Sequence, residues 1–212
     1  MGFDKLFAII AGRPVIAHAI NAFEQANSVA EIIVVAGEDR HDEIRKLSRD
    51  ESFKKVRSII TGGERRQDSV RAGLENLSRD ARYVAVHDAA RPLVRPEQIE
   101  RVFEQCRVHG AAALAEPISD TLKRADVDLM VTASVDRHQL YAMQTPQIFE
   151  WALIEEAYRA VFANRVSVTD EVSAVERLDR KVFLVPSEDF NFKVTYPRDL
   201  TLAEFILKQR IH

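Results

Sequence analysis

Short aliphatic runs alternate with amphipathic helical segments through the first half of this chain, and that alternation restricts the fold more than any other feature. "EIIVVAG" (31–37) and "VRSIITGG" (56–63) are β-branched runs closed by glycine, and "YVAV" (83–86) is a third short apolar run. Runs of this kind suit buried strands. "PVIAHAINAFEQA" (14–26) instead places apolar side chains at Val15, Ile16, Ala19, Ile20 and Phe23. That is a helical spacing, with Pro14 suited to a first turn. "HDEIRKLSRDESF" (41–53) and "RQDSVRAGLENL" (66–77) read as further helices. "RPEQIERVFEQCRVHG" (95–110) is another, opened by Pro96 and Glu97 and stopped by Gly110. Strand followed by helix at these intervals predicts βαβ units. The expected fold is α/β, a mostly parallel twisted sheet flanked by helices.

The rhythm breaks between Ala111 and Phe149. "AAALAEPISDTLKRAD" and "LMVTASVDRHQLYAMQTPQIF" look like strands around a polar turn, more an extended arm than a βαβ unit. Helical texture returns in "EWALIEEAYRAVFA" and "TDEVSAVERL", followed by a strand "KVFLVPS" and a closing helix "RDLTLAEFILKQR". No internal repeat divides the chain, so one domain over residues 1–212 is expected.

Composition narrows the function classes. Thirty basic against 33 acidic side chains give a net charge of -3, without the basic excess of a nucleic-acid binder. The single cysteine, Cys106, excludes an internal disulfide framework and suits a reducing compartment. No apolar run has the length of a membrane span and no signal-peptide pattern opens the chain. The expectation is a soluble, cytoplasmic protein with neither nucleic acid nor membrane as partner.

Open α/β sheets bind ligands outside the carboxyl ends of their strands. Four groups of polar residues fall at such ends: Gly62, Gly63 and Glu64; Asp88 and Arg91; Asp136 and Arg137; Asn191 and Lys193. Each has a plain structural reading as a turn, a cap or a surface pair. Together they describe a rim of Arg forks and Lys point charges suited to phosphates. The six histidines have no ligand spacing, and His87 is too close to Asp88 in sequence to orient as a dyad. No G-x-G-x-x-G or Walker A run is present. The residues alone reach an α/β protein that binds a phosphorylated ligand.

The strings taken in order go further. "MGFDKLFAIIAGRPVIAHAINAF", "GGERRQDSVRAGL", "VAVHDAARPLV", "DTLKRA", "VDRHQLYAMQTPQIF", "VTDEVSAVE" and "NFKVTYPRDLTLAEFIL" resemble the methylerythritol-phosphate cytidylyltransferases of the non-mevalonate isoprenoid pathway over essentially the whole chain. The resemblance implies a nucleotidyltransferase sheet and a homodimer held by a β-arm, matched by residues 111–149. It implies a reaction joining CTP to 2-C-methyl-D-erythritol 4-phosphate, releasing diphosphate, with Mg²⁺ present.

It also implies roles. Lys5 matches the lysine on the triphosphate. Arg137 and Lys193 match the pair that orients the methylerythritol phosphate, and Thr145 and Thr169 match neighbouring substrate contacts. Arg91 and Thr121 match contacts that reach across the dimer. Gly63, Glu64 and Ser69 match the cytosine-recognising group, with Ala89 near the ribose. Asp88 is expected between the two substrates, on a hydroxyl or in the metal sphere.

At the front, the family carries an apolar strand and a glycine-rich loop before the residues that match Met1 and Gly2. The expectation is a natural start upstream, about twenty residues earlier, a strand plus a turn. Two other functions fit the same residues: a ribitol 5-phosphate cytidylyltransferase, and a non-catalytic nucleotide-binding or dimerisation module.

Overall fold

The computed structural model describes residues 4–210. Two short antiparallel strands, β1 (Ile9–Ile10) and β2 (Arg13–Pro14), lead into α1 (Val15–Gln25). β3 (Ile32–Ala36) is followed, through one 3-10 turn, by α2 (His41–Asp50). β4 (Val56–Thr61) precedes α3 (Arg66–Glu75), and β5 (Tyr83–Val86) precedes α4 (Pro96–His109). Then come β6 (Ala111–Pro117), β7 (Leu122–Ala125), β8 (Val131–Val135), β9 (Tyr141–Glu150), α5 (Trp151–Ala163), α6 (Glu171–Glu176), β10 (Phe183–Pro186) and α7 (Pro197–Gln209).

The helices form where the apolar period demands. Val15, Ile16, Ala19, Ile20 and Phe23 are all buried along one face of α1. α4 carries Pro96 in its first turn and ends on Gly110, whose φ of 80° gives the left-handed stop that glycine adopts without strain. Asp170 caps α6, its carboxylate accepting the Ser173 N–H at 2.9 Å.

β6 shows why the centre of the fold is alanine-rich. Ala112 and Leu114 pack with Val102 and Cys106 of α4 on one side. Ala111 and Ala113 pack with Phe149, Ile154 and Ala157 on the other. The strand is covered on both faces, and small side chains let helices approach from each. The result is helices on both sides of a sheet.

The sheet departs from the expected mostly parallel arrangement: it is mixed. Its order is β10–β6–β9–β5, with β10 parallel to β6 and β9 antiparallel to both of its neighbours. The cause is the excursion after β6. The chain leaves the sheet through β7 and β8, an antiparallel ribbon of largely exposed residues, and returns alongside β6 in the opposite direction. Residues 111–149 thus combine sheet core with an exposed ribbon. Ala111–Ala115 and Gln144–Phe149 are buried sheet core, and the protruding part is the ribbon between them.

β3 and β4 form a separate parallel pair. Between β3 and β5 lies a cleft of about 1280 Å³, lined by apolar residues such as Val35, Val84 and Val86. Arg66, Ser69, Asp88 and Ala89, which lie beyond the carboxyl ends of β4 and β5, also line it.

Candidate active site

β5 ends at Val86, and the next two residues carry the centre of the site. Asp88 turns the chain: the Arg91 N–H donates to its carbonyl at 2.9 Å. Its carboxylate meets two cations from distant parts of the sequence. Arg66 Nε, in the first turn of α3, donates to Oδ1 at 3.1 Å. Lys193 Nζ, on the loop before α7, donates to Oδ2 at 2.9 Å. Burial raises the carboxyl pKa, but Arg66 and Lys193 outweigh it and hold the group at about 2. Asp88 is an anion throughout the physiological range.

Arg66 is anchored behind Asp88. Its Nη1 and Nη2 donate to the two oxygens of Glu171, at 2.7 and 2.8 Å. Glu171 is 0% exposed, and the Tyr158 hydroxyl donates to it at 2.8 Å. Burial and the adjoining Glu171 carboxylate push the Tyr158 phenol pKa up. Burial pulls the Arg66 pKa down, but Glu171 and Asp88 reverse that and raise it. A line of alternating charge thus runs from the core out to the surface through Glu171, Arg66, Asp88 and Lys193.

Lys193 is placed by backbone on both sides. The Val194 N–H donates to the Ala90 carbonyl at 2.8 Å, and Asp199 Oδ2 accepts the N–H groups of Thr195 and Tyr196, each at 2.8 Å. Two residues before the lysine, the Asn191 amide donates to the Thr145 carbonyl at 2.9 Å and to Gln144 Oε1 at 3.0 Å.

His87 and Thr145 form a second, uncharged chain. His87 Nε2 faces the Arg91 carbonyl at 3.2 Å, so that nitrogen carries the proton. Nδ1 is then an acceptor, and the Thr145 hydroxyl donates to it at 3.0 Å. The same hydroxyl oxygen accepts the Asp88 N–H at 3.1 Å. Burial lowers the His87 pKa to about 4, so the ring is neutral at pH 7. His87 is not paired with the Asp88 carboxylate, in line with the sequence argument against a dyad.

Other expected site residues find partners within the chain. Thr145 is buried, and its hydroxyl, bonded to His87 and to the Asp88 N–H, shapes the turn at Asp88. Arg91, expected to reach across a dimer, turns inward: Nη1 donates to the Asn191 carbonyl at 2.7 Å and Nη2 to the Met143 carbonyl at 3.3 Å. The nearby backbone of β9 and of the Lys193 loop offers acceptors that capture it.

Arg137 and Thr121 are exposed at the ribbon. Arg137 donates to the Ser119 carbonyl, while Lys193 donates to Asp88. Thr169 is exposed just ahead of α6, with its hydroxyl 3.0 Å from that of Ser173. Lys5 lies half-buried in the turn before β1, between Asp4 and Leu6, which line the cleft.

The glycine loop is shaped by close approach. A Cβ on Gly63 would stand 2.3 Å from the Asp68 Cβ, so the loop lies against α3 only because the residue is glycine. The Gly63 N–H donates to Ser69 Oγ at 3.1 Å, and Glu64 beside it is exposed. Ala89 packs in the cluster that holds Val34 and Ala36 and lines the cleft.

Among the described residues, Asp88 stands without the further carboxylates that a Mg²⁺ site built by the protein alone would use. Both carboxylate oxygens hold cations, and among the described residues no three His, Cys, Asp or Glu side chains group into a ligand set. These residues do not fit a metal held by the protein itself.

Sequence reading missed Arg66 and Glu171. Both stand inside quoted strings, "GGERRQDSVRAGL" and "VTDEVSAVE". Their partnership spans 105 residues, and no local pattern announces it.

The arrangement gathers mixed charges at a strand tip beside a glycine-containing loop, which suits a phosphorylated ligand. Comparison with known proteins agrees. A family model described as IspD, 2-C-methyl-D-erythritol 4-phosphate cytidylyltransferase, matches residues 1–209. The enzyme of that name from Dehalococcoides mccartyi strain CBDB1 is 37% identical over 208 residues, covering 98% of this chain and 90% of the relative. The one from Halalkalibacterium halodurans is 38% identical over 209 residues, covering 99% and 91%. The crystal structure of 4-diphosphocytidyl-2C-methyl-D-erythritol synthase from Anaerococcus prevotii superposes with a TM-score of 0.85 at 28% identity, covering 94% of this chain and 88% of that one. The Thermus thermophilus cytidylyltransferase gives 0.83 at 31% identity, covering 96% and 94%. With a match that runs from its first residue to its last helix, the chain belongs to the IspD family.

Proposed function

We propose that this protein transfers the cytidylyl group of CTP to the phosphate of 2-C-methyl-D-erythritol 4-phosphate. A phosphate oxygen of the sugar attacks the α-phosphorus, forming a new P–O bond. The α–β anhydride bond breaks, and its electron pair leaves with diphosphate. The nucleophile is already an anion, so the protein need supply no strong base. Its task is to bring two anions together and to meet charge as it gathers on phosphoryl oxygens.

The observation that carries this reading is the Asp88–Lys193 pair, which sets a partly exposed cation at the tip of β5 beside the cleft. Lys193 takes the sugar phosphate and Asp88 a hydroxyl of the methylerythritol. Gly63, Glu64 and Ser69 recognise cytosine, and Ala89 stays small beside the ribose. Lys5 meets the triphosphate. A divalent cation comes with the triphosphate oxygens, which supply much of its coordination; no step here needs a protein ligand for it.

The exposed ribbon of β7 and β8 is the arm of a homodimer. Thr121 stands just before β7 and Arg137 just after β8, and in this reading they serve the partner's site. The supporting features are the ribbon's exposure and its apolar surface residues, with Met130 66% and Val131 65% exposed.

The test is diphosphate release from CTP with methylerythritol phosphate, run beside ribitol 5-phosphate. Release with the first alone is expected. Release with ribitol phosphate alone, or with neither, would overturn the assignment.

A further inference from the structure

Asp88 has two cationic partners, and they are held very differently. Arg66 is fixed at its far end by two hydrogen bonds to a fully buried carboxylate, with Tyr158 holding that carboxylate in turn. Three N–H donors of its rigid fork are engaged at once, one on Asp88 and two on Glu171. Lys193 is a point charge on a flexible stem. Its side chain is 41% exposed, against 33% for Arg66 and 17% for Asp88. One partner is built into the protein and the other can move.

We infer that Arg66 is a positioning residue: it is the standing counter-charge of Asp88 that allows Lys193 to leave that carboxylate for an incoming phosphate. The inference rests on the reading that Lys193 takes the sugar phosphate. Without Arg66, Lys193 would be the only ion-pair partner of Asp88 among the described residues. A largely buried carboxylate resists losing its last cation, because the unpaired charge would be left in a poorly solvated site. Phosphate would then compete for a lysine that Asp88 retains. With Arg66 in place, departure of the lysine removes one of two partners, and Asp88 stays ionised and oriented.

The other charged or titratable groups around Asp88 do not substitute for Arg66. Arg91 is held on the carbonyls of Asn191 and Met143. His87 is neutral and bonded to Arg91 and Thr145. Glu171 carries the wrong sign, and Tyr158 donates to Glu171.

The test is a kinetic cycle. Arg66→Met alone would strand the buried Glu171, so it is combined with Glu171→Gln, which leaves no unpaired carboxylate there. Wild type is assayed first. If it makes no diphosphate from CTP and methylerythritol phosphate, the functional reading fails, and this inference with it. If it is active, the pair of substitutions should raise KM for methylerythritol phosphate by about ten-fold or more, with KM for CTP changed by less than about two-fold. In an Asp88→Asn background the same pair should shift KM for methylerythritol phosphate by less than about two-fold, since no carboxylate then competes for Lys193.

Three outcomes would overturn the inference while leaving the function standing. The first is an equal rise in both KM values, which a general loss of structure would give. The second is a penalty that persists in the Asp88→Asn background, which would make Arg66 itself a phosphate contact. The third is no change at all.

Discussion

The Asn191 side-chain amide donates to the Thr145 carbonyl at 2.9 Å, tying the loop that carries Lys193 to the strand behind Asp88. Asn191 is 1% exposed, so the bond is made away from water. Replacing it by alanine leaves the Thr145 carbonyl and Gln144 Oε1 without this donor. The expected cost is about 1–3 kcal/mol of stability, read from the midpoint of denaturant unfolding. The same variant should raise KM for methylerythritol phosphate more than KM for CTP. Unchanged stability together with unchanged KM values would show that the tie does not hold the loop.

His87 predicts a pH dependence of stability with a defined sign. Its folded pKa of about 4 lies below the ordinary 6.5, because burial disfavours the imidazolium. Between those values the unfolded chain binds more protons than the folded one. Stability therefore falls as pH drops from about 6.5 towards 4, and is flat with respect to this group above that window. His87→Gln should flatten the slope. His18, whose pKa burial also lowers, leaves a residual dependence. Midpoints of denaturant unfolding measured across this range check it; identical slopes in wild type and variant would contradict it.

The inward course of Arg91 and the outward course of Arg137 predict opposite behaviour in mixed dimers. Arg91 donates to the Asn191 carbonyl of its own chain, and we infer that it supports that chain's site, so mixing Arg91→Ala with Lys193→Ala chains should recover no activity. Arg137 is proposed to act on the partner's site. Mixed Arg137→Ala and Lys193→Ala chains should then regain about a quarter of wild-type activity, since half of the dimers hold one intact site. Recovery in the first mixture, or none in the second, would reverse these assignments.

Gly63 offers a backbone test of the nucleotide side. Gly63→Ala forces a Cβ to within 2.3 Å of the Asp68 Cβ unless the loop moves. A several-fold rise in KM for CTP is expected, with KM for methylerythritol phosphate little affected. Equal effects on both substrates would place the loop elsewhere in the mechanism.

These side chains also show what a sequence displays and what it hides. Helical period in α1, proline and glycine at the ends of α4, and strand tips rich in polar residues are local facts, and all were legible. The direction of β9 was not, because an apolar run reads the same both ways and its antiparallel course follows from the ribbon before it. Thr145 and Arg91 could be picked out by type and position, but not the way each points, which the carbonyls and imidazole around them decide. Arg65 and Arg66 are neighbours in "GGERRQ". The first, just ahead of α3, pairs with Asp68 in that helix's first turn, while the second turns to Glu171 and Asp88. Only the assembled fold separates them.

The central claim is that Lys193, parked on Asp88, is the cation that receives the sugar phosphate. Diphosphate release measured against each substrate in turn, for wild type and Lys193→Ala, tests it most directly. The account predicts a KM for methylerythritol phosphate raised at least about ten-fold with KM for CTP nearly unchanged. A loss confined to CTP, or a variant as active as wild type, would contradict it.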